Sequence, residues 1–337
     1  MAVLLAGFLF VSVSARAEEK VGTFSVDEVR LRPTYASSEG ASGQFSLDDS
    51  AFGVRWARDK HLSAYIEVGA LESRNLPIYY NTPAETGYGF TNAFAEYAGV
   101  YGRVRYGLLP IGFGYDGSIK SSSRLFQRGQ LFENKVVGFA DTGLSLFTKH
   151  NGYYTELILH NGAIEQSPGS RLWTTTHFGW TNDREWRAQL SLQTGYVNGE
   201  QSLGATNTIA GVNNGQTAKW RNGALFVNWS PRDWNAVIEI AGGQVEQNSH
   251  SYGYSSNRVE VTRYYTHNFG TGIRYDYFDP NTSVGQDAQT AISAMVALRS
   301  DDATSTFLII GTKNLEEGYQ VNNDELRVSW LLTPYTH

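Results

Sequence analysis

Leu172-Trp-Thr-Thr-Thr-His-Phe-Gly-Trp180-Thr181, then Asn182-Asp-Arg184, then Glu185-Trp186-Arg-Ala-Gln-Leu-Ser-Leu-Gln-Thr-Gly-Tyr196-Val197, is the stretch whose reading decides the fold. Its period is two, not 3.6. In the second run one face carries Trp186, Ala188, Leu190, Leu192 and Tyr196. The other carries Arg187, Gln189, Ser191, Gln193 and Gly195. That is a strand with one apolar and one polar face. The link between the two runs has room only for a tight turn, and a tryptophan stands on either side of it. A soluble sandwich also alternates, so the count and spacing of strands must decide.

The same pattern recurs along the chain. Strands are expected near 24–35, 50–58, 61–72, 89–98, 100–110, 137–148, 152–161, 172–181, 185–197 and 219–229. Six more follow near 234–246, 257–267, 269–278, 288–299, 305–314 and 324–333. Most have the ~9–11 residues that a tilted strand needs to cross a bilayer. Short turns, such as Asp59-Lys60 and Ser230-Pro-Arg-Asp233, alternate with long loops near 36–49, 73–88, 111–136, 162–171, 198–218, 247–256, 279–287 and 315–323. Sorting turns to one rim and loops to the other is the asymmetry of a bacterial outer-membrane barrel. The expected fold is therefore all-β: a transmembrane antiparallel barrel of about 16 strands.

Trp56, Trp180, Trp186, Trp229, Trp234 and Trp330 all fall at strand ends beside short turns or the C-terminus, on the apolar phase. They read as a membrane girdle. The polar phase carries Arg30, Arg32, Arg55, Glu67, Arg103, Arg105, Glu156, Arg187, Glu239 and Arg299. Charges there imply a water-filled lumen, with Arg30, Arg32 and Arg55 lining it. Asn198 to Gly215 and Gln247 to Asn257 are of low complexity and read as mobile surface loops.

Residues 1–17 combine an apolar run with the small-x-small site Ala15-Arg16-Ala17, a secretory signal peptide by pattern. The barrel then occupies 18–337. The 337-residue chain has no cysteine, which excludes disulfides and thiolate metal sites, and its net charge of −6 argues against a nucleic-acid partner. None of the seven histidines stands at metal spacing, and neither HExxH nor GxSxG occurs. Neither metal nor cofactor is expected.

The segment 111–136 breaks the pattern. Pro110-Ile-Gly112-Phe-Gly114-Tyr-Asp-Gly117 ends any ladder. Beyond it Lys120, Arg124, Arg128 and Lys135 outweigh Asp116 and Glu133, whereas the loops at 36–49, 73–88, 279–287 and 315–323 are acidic. The expectation is an inward-folded constriction loop whose cations join Arg103 and Arg105 and favour anions.

Three stretches resemble a known family, the phosphate-selective porin O/P type of bacterial outer-membrane porin. They are Gly107-Leu-Leu-Pro110-Ile-Gly112-Phe, Ile273-Arg274-Tyr275-Asp276-Tyr277-Phe278-Asp279-Pro280-Asn281, and Leu157-Ile-Leu-His-Asn161-Gly162. The resemblance implies a trimeric 16-stranded porin, with Arg124 and Arg128 among its basic constriction residues. The chain is short for that family and ends in Pro334-Tyr-Thr-His337 rather than Phe. The expected function is a passive diffusion channel for small ions and hydrophilic solutes, anion-preferring, trimeric and in contact with outer-membrane lipid. The alternatives are a barrel hydrolase with an exterior Ser-His pair, or a plugged structural or surface-binding barrel.

Overall fold

The computed structural model describes residues 22–47, 49–70, 88–119, 123–134, 136, 138–162, 172–197, 217–316 and 323–336. Eighteen strand segments form one antiparallel sheet. Two pairs of segments are single strands with a break. β1 comprises Thr23–Leu31 and Pro33–Ser38, and β2 comprises Gln44–Leu47 and Ala51–Ala57. Counted that way, the barrel has sixteen strands.

In chain order the others are β3 (Leu62–Ala70), β4 (Tyr88–Gly99), β5 (Gly102–Pro110), β6 (Ala140–His150), β7 (Tyr153–His160), β8 (Trp173–Thr181) and β9 (Trp186–Val197). Then come β10 (Ala218–Trp229), β11 (Trp234–Gln247), β12 (His250–Tyr264), β13 (Phe269–Asp279), β14 (Gln289–Arg299), β15 (Ser305–Glu316) and β16 (Glu325–Thr336). Each pairs with its neighbours, and β1 closes the ring on β16 through Glu28↔Thr336 and Leu31↔Leu332. Closure leaves no edge strand, which is what lets a sheet sit in lipid.

The breaks have a local cause. Pro33 has no N–H to give the ladder. The Arg32 N–H turns to the Ser50 hydroxyl at 2.9 Å, and Asp49 opposite takes φ 52°. A bulge five residues before Arg32, at Asp27, puts both Asp27 and Glu28 into the lumen.

Outside, Ile238, Ile240, Ile273, Ile292, Val296 and Ile309 are exposed and form an apolar belt. An apolar surface on that scale needs lipid or a partner to cover it. Trp180, Trp186, Trp229, Trp234 and Trp330 are exposed at the short-turn rim, and Trp56 is partly exposed there. Trp173 and Trp220 are instead buried inside, at the opposite end. Trp186 and Trp229 face each other across β9 and β10 with ring centroids 5.8 Å apart. Replacing both by Ala should cost about 2 kcal/mol of stability, measured by urea titration of folding into lipid vesicles.

Two expectations need correction. Gln247 to Asn257 is not a loop. β11 and β12 pair down to Gln247↔His250 around Asn248 and Ser249, at φ 51° and 66°. Positive φ at both central residues is the tight hairpin geometry that matches strand twist. The polar composition hides the period: Tyr254 and Ser256 point inward and are buried. The loop expected at 36–49 is likewise half strand, since Pro33–Ser38 pairs with Gln44–Leu47. Residues 1–17 and Asn198 to Gly215 lie outside the described residues, as do most of the loops at 73–88, 162–171 and 315–323.

Candidate pore constriction

The segment after β5 turns into the barrel. Gly112 and Gly114 have φ 67° and 64°, and a Cβ on Gly114 would lie 2.4 Å from Glu239 Oε1. Both positions therefore favour glycine, Gly114 doubly so. Two one-turn helices follow, α1 (Gly114–Ser118) and α2 (Gln130–Glu133).

Inward side chains of the wall hold the first half. The Tyr115 N–H donates to Glu239 at 2.7 Å. His177 Nε2 donates to the Ile111 carbonyl at 2.7 Å, which assigns its proton to that nitrogen. Gln189 donates to the Gly112 carbonyl at 3.0 Å, and Arg187 to the Ser118 carbonyl at 2.7 Å. Asp116 is the hub: it lies 2.6 Å from Arg258 Nη1 and accepts the Gly129 N–H at 2.6 Å. Arg258 is held in turn by Glu260 at 2.7 Å.

The second half is tied to other strands. Arg274 donates to the Gln127 carbonyl at 2.6 Å, and the Gln130 N–H donates to Asp276 at 3.1 Å. Arg32 donates to the Arg124 and Leu125 carbonyls at 3.4 and 3.0 Å. Phe126 is buried among Met295, Leu308 and Ile310. In the long-loop half, Phe113, Leu131 and Phe132 pack with Trp173, Trp220 and Phe278 into an apolar core inside the barrel. Burial alone would raise the Asp116 carboxyl, but Arg258, Arg124 and the Gly129 N–H hold it below the ordinary carboxylate value. A depressed value means this tie is fully present at neutral pH and fails only as the pH drops through it.

Two cavities remain inside, the smaller along β1–β5 and the larger along β9–β12 and β14–β16. The smaller, of about 300 Å³, runs between the β1–β5 wall and Pro110, Gly117, Ser118, Ile119 and Phe139. The larger, of about 710 Å³, lies toward the short turns, and Ser118 and Ile119 line both. Arg55, Arg103 and Arg105 surround Glu96, at 3.9, 3.8 and 2.5 Å. Asp27 sits 2.7 Å from Arg55. The guanidinium groups lie over Tyr65, Phe147 and Phe94, respectively. Their side chains are 29, 38 and 19 % exposed, against 11 % for Glu96.

The expected basic set thus divides. Arg103 and Arg105 are on the wall, with Arg105 lining the smaller cavity beside Arg30 and Arg55. Arg124 and Arg128 are not open constriction cations. Their side chains are 1 and 6 % exposed and lie 3.1 and 3.3 Å from Asp49, so they join loop to wall. A buried guanidinium needs such a partner. Arg32 points inward but is buried beneath the loop. Lys120 and Lys135 lie outside the described residues. The anchors Asp49, Asp116, Arg258 and Glu239 were not singled out from sequence, although the inward phase already marked Glu239.

The described residues hold no group of three or more metal-ligating side chains. His177 and Ser191 are hydrogen-bonded at 3.1 Å, but both are buried on the lumen side. That is not the exterior pair a barrel hydrolase would need.

No protein-family model matches the chain, and no curated protein matches it in sequence. Among solved structures, its fold is similar to an anion-selective porin from Comamonas acidovorans. The TM-score is 0.66 at 11 % identity, over 93 % of this chain and 99 % of that one. OmpT, an outer-membrane protein of Vibrio cholerae, gives 0.66 at 8 % identity over 95 and 99 %. The outer-membrane channel DcaP of Acinetobacter baumannii gives 0.64 at 7 % over 95 and 100 %. At these identities the likeness is one of fold: the chain is a closed sixteen-stranded barrel of the porin architecture.

Proposed function

We propose that this chain is a porin of the bacterial outer membrane, a passive diffusion channel for small hydrophilic solutes with a preference for anions. The carrying observation is the charged passage along β1–β5, bounded by a loop pinned at both halves. Selection works by width and lumen charge, with no covalent step. Three arginines around Glu96, with Asp27 beside Arg55, leave one net positive charge in that part of the wall, and the arginines are more exposed than Glu96. Fixed positive charge in a narrow wet passage raises the local anion concentration. The same reading includes a cleaved leader, a mature start at Glu18 and a homotrimer, as one similar barrel, OmpT of Vibrio cholerae, has a trimer form.

The apolar core packed inside the long-loop half favours a second reading, a plugged, non-conducting barrel. Liposome swelling separates the two. The channel admits a monosaccharide faster than a trisaccharide, whereas a plugged barrel admits neither. Cross-linking in mild detergent tests the trimer independently.

A further inference from the structure

The free wall of the passage is layered along its strands. Strand register sets the layers. Glu96 stands opposite Arg105 in one row; two residues toward the long loops, Phe94 stands opposite Tyr65 and Tyr65 opposite Arg55. Two residues further toward the long loops, Glu67 stands opposite Asn92 and Gly53, and Gly53 opposite Glu28. A step of two residues is about 6.8 Å along a strand.

Charge does not cancel within each layer. Arg55, Arg103 and Arg105, on successive rows and joined through Glu96, carry together one net positive charge after Glu96 and Asp27 are counted. In the layer above, Glu28 is paired with Arg30. Glu67 accepts from Tyr65, Thr91 and Asn92 at 2.8, 2.6 and 3.1 Å, all neutral donors. Its negative charge is held in place and not neutralised. The faces of Tyr65 and Phe94 lie under the Arg55 and Arg105 guanidiniums, and Phe139 lines the same cavity.

We propose that the passage selects zwitterions of dipeptide size over singly charged solutes of that size. The ammonium end lies toward Glu67 and the carboxylate end toward Arg55 and Arg105. Two extended residues span roughly 7 Å, which matches the single step from the Arg55–Tyr65–Phe94 row, over which the Arg105 guanidinium also lies, to the Glu67 row. A cavity of about 300 Å³ holds such a solute with water around it. Small inorganic ions meet one layer at a time and follow the more exposed arginines. A solute long enough to touch both layers is favoured by both. This inference rests on the channel reading.

Proteoliposomes test it, with uptake of three labelled probes at neutral pH and zero potential, and glucose as the control. The probes are glycylglycine, acetylglycine, which lacks the ammonium, and glycylglycinamide, which lacks the carboxylate. Glycylglycine should enter about fivefold faster than either. In Glu67→Gln its advantage over acetylglycine should vanish, and in Arg105→Gln its advantage over glycylglycinamide should vanish. Ratios within each variant remove differences in the amount folded. Glucose uptake without a zwitterion advantage overturns the proposal alone, as do unchanged ratios in both variants. No glucose uptake by the unmodified protein overturns the channel reading with it.

Discussion

Asp116→Ala should enlarge the pore and make it noisy while leaving the barrel folded. Asp116 and Arg258 are both buried, and the carboxylate also accepts the Gly129 N–H across the loop. Removing one member of a buried pair costs about 3–5 kcal/mol, because the remaining charge loses its partner in a poorly solvated place. Here the cost falls on the loop. The sixteen strands keep their ladder, and Arg258 keeps Glu260. Local opening is then easier than global unfolding. In planar bilayers single-channel conductance should rise, with flicker from a loop no longer fixed. Limited proteolysis should cut within 111–139, and the heat-modifiable band on detergent gels should persist. Asp116→Asn keeps an acceptor for Gly129 and should fall between. Unchanged conductance in the Ala variant, with the loop still protected, would mean that the other anchors suffice.

What sequence could reveal of this arrangement follows from which signals are local. Trp186–Val197 alternates cleanly, so its strand and both its faces are legible. His250–Asn257 alternates too, but Tyr252, Tyr254 and Ser256 face in while Ser251, Gly253, Ser255 and Asn257 face out, so hydropathy carries little period there. The bulge at Asp27 shifts the phase of one strand by one residue, and no composition rule marks it. The inward fold of 111–136 was legible because a basic loop is anomalous on an acidic rim. Its docking was not. Arg124 and Arg128 meet a carboxylate about 75 residues away in sequence, on a strand broken at that level. Arg274 and Asp276 lie within a stretch that carries the family resemblance, yet only the structure shows them gripping the Gln127 carbonyl and the Gln130 N–H.

Charge reversal at two sites separates lumen charge from loop anchoring. Arg103→Glu with Arg105→Glu changes the charge of an accessible layer by four units, from one net positive to three net negative. At an ionic strength where the Debye length is about 8–10 Å, a charge of that size at the wall is felt across a narrow passage. The zero-current potential in a potassium chloride gradient should move from anion to cation preference, with the barrel intact because both side chains are partly solvated. Arg124→Glu with Arg128→Glu carries the same formal change but acts elsewhere. It sets two carboxylates against Asp49, which is left with Arg32 alone at 3.9 Å, in a buried site. Like charges so confined expel the loop. That variant should show a larger and noisier conductance, as for Asp116→Ala, and more protease cleavage between 111 and 139. Its shift in ion preference should be smaller than that of the wall pair, since an expelled loop leaves a wider, better screened pore. If instead the 124/128 variant keeps its conductance and reverses selectivity, those arginines face the solute in the membrane and Asp49 is not their partner. If the 103/105 variant leaves the zero-current potential unchanged, ions take a path away from β5.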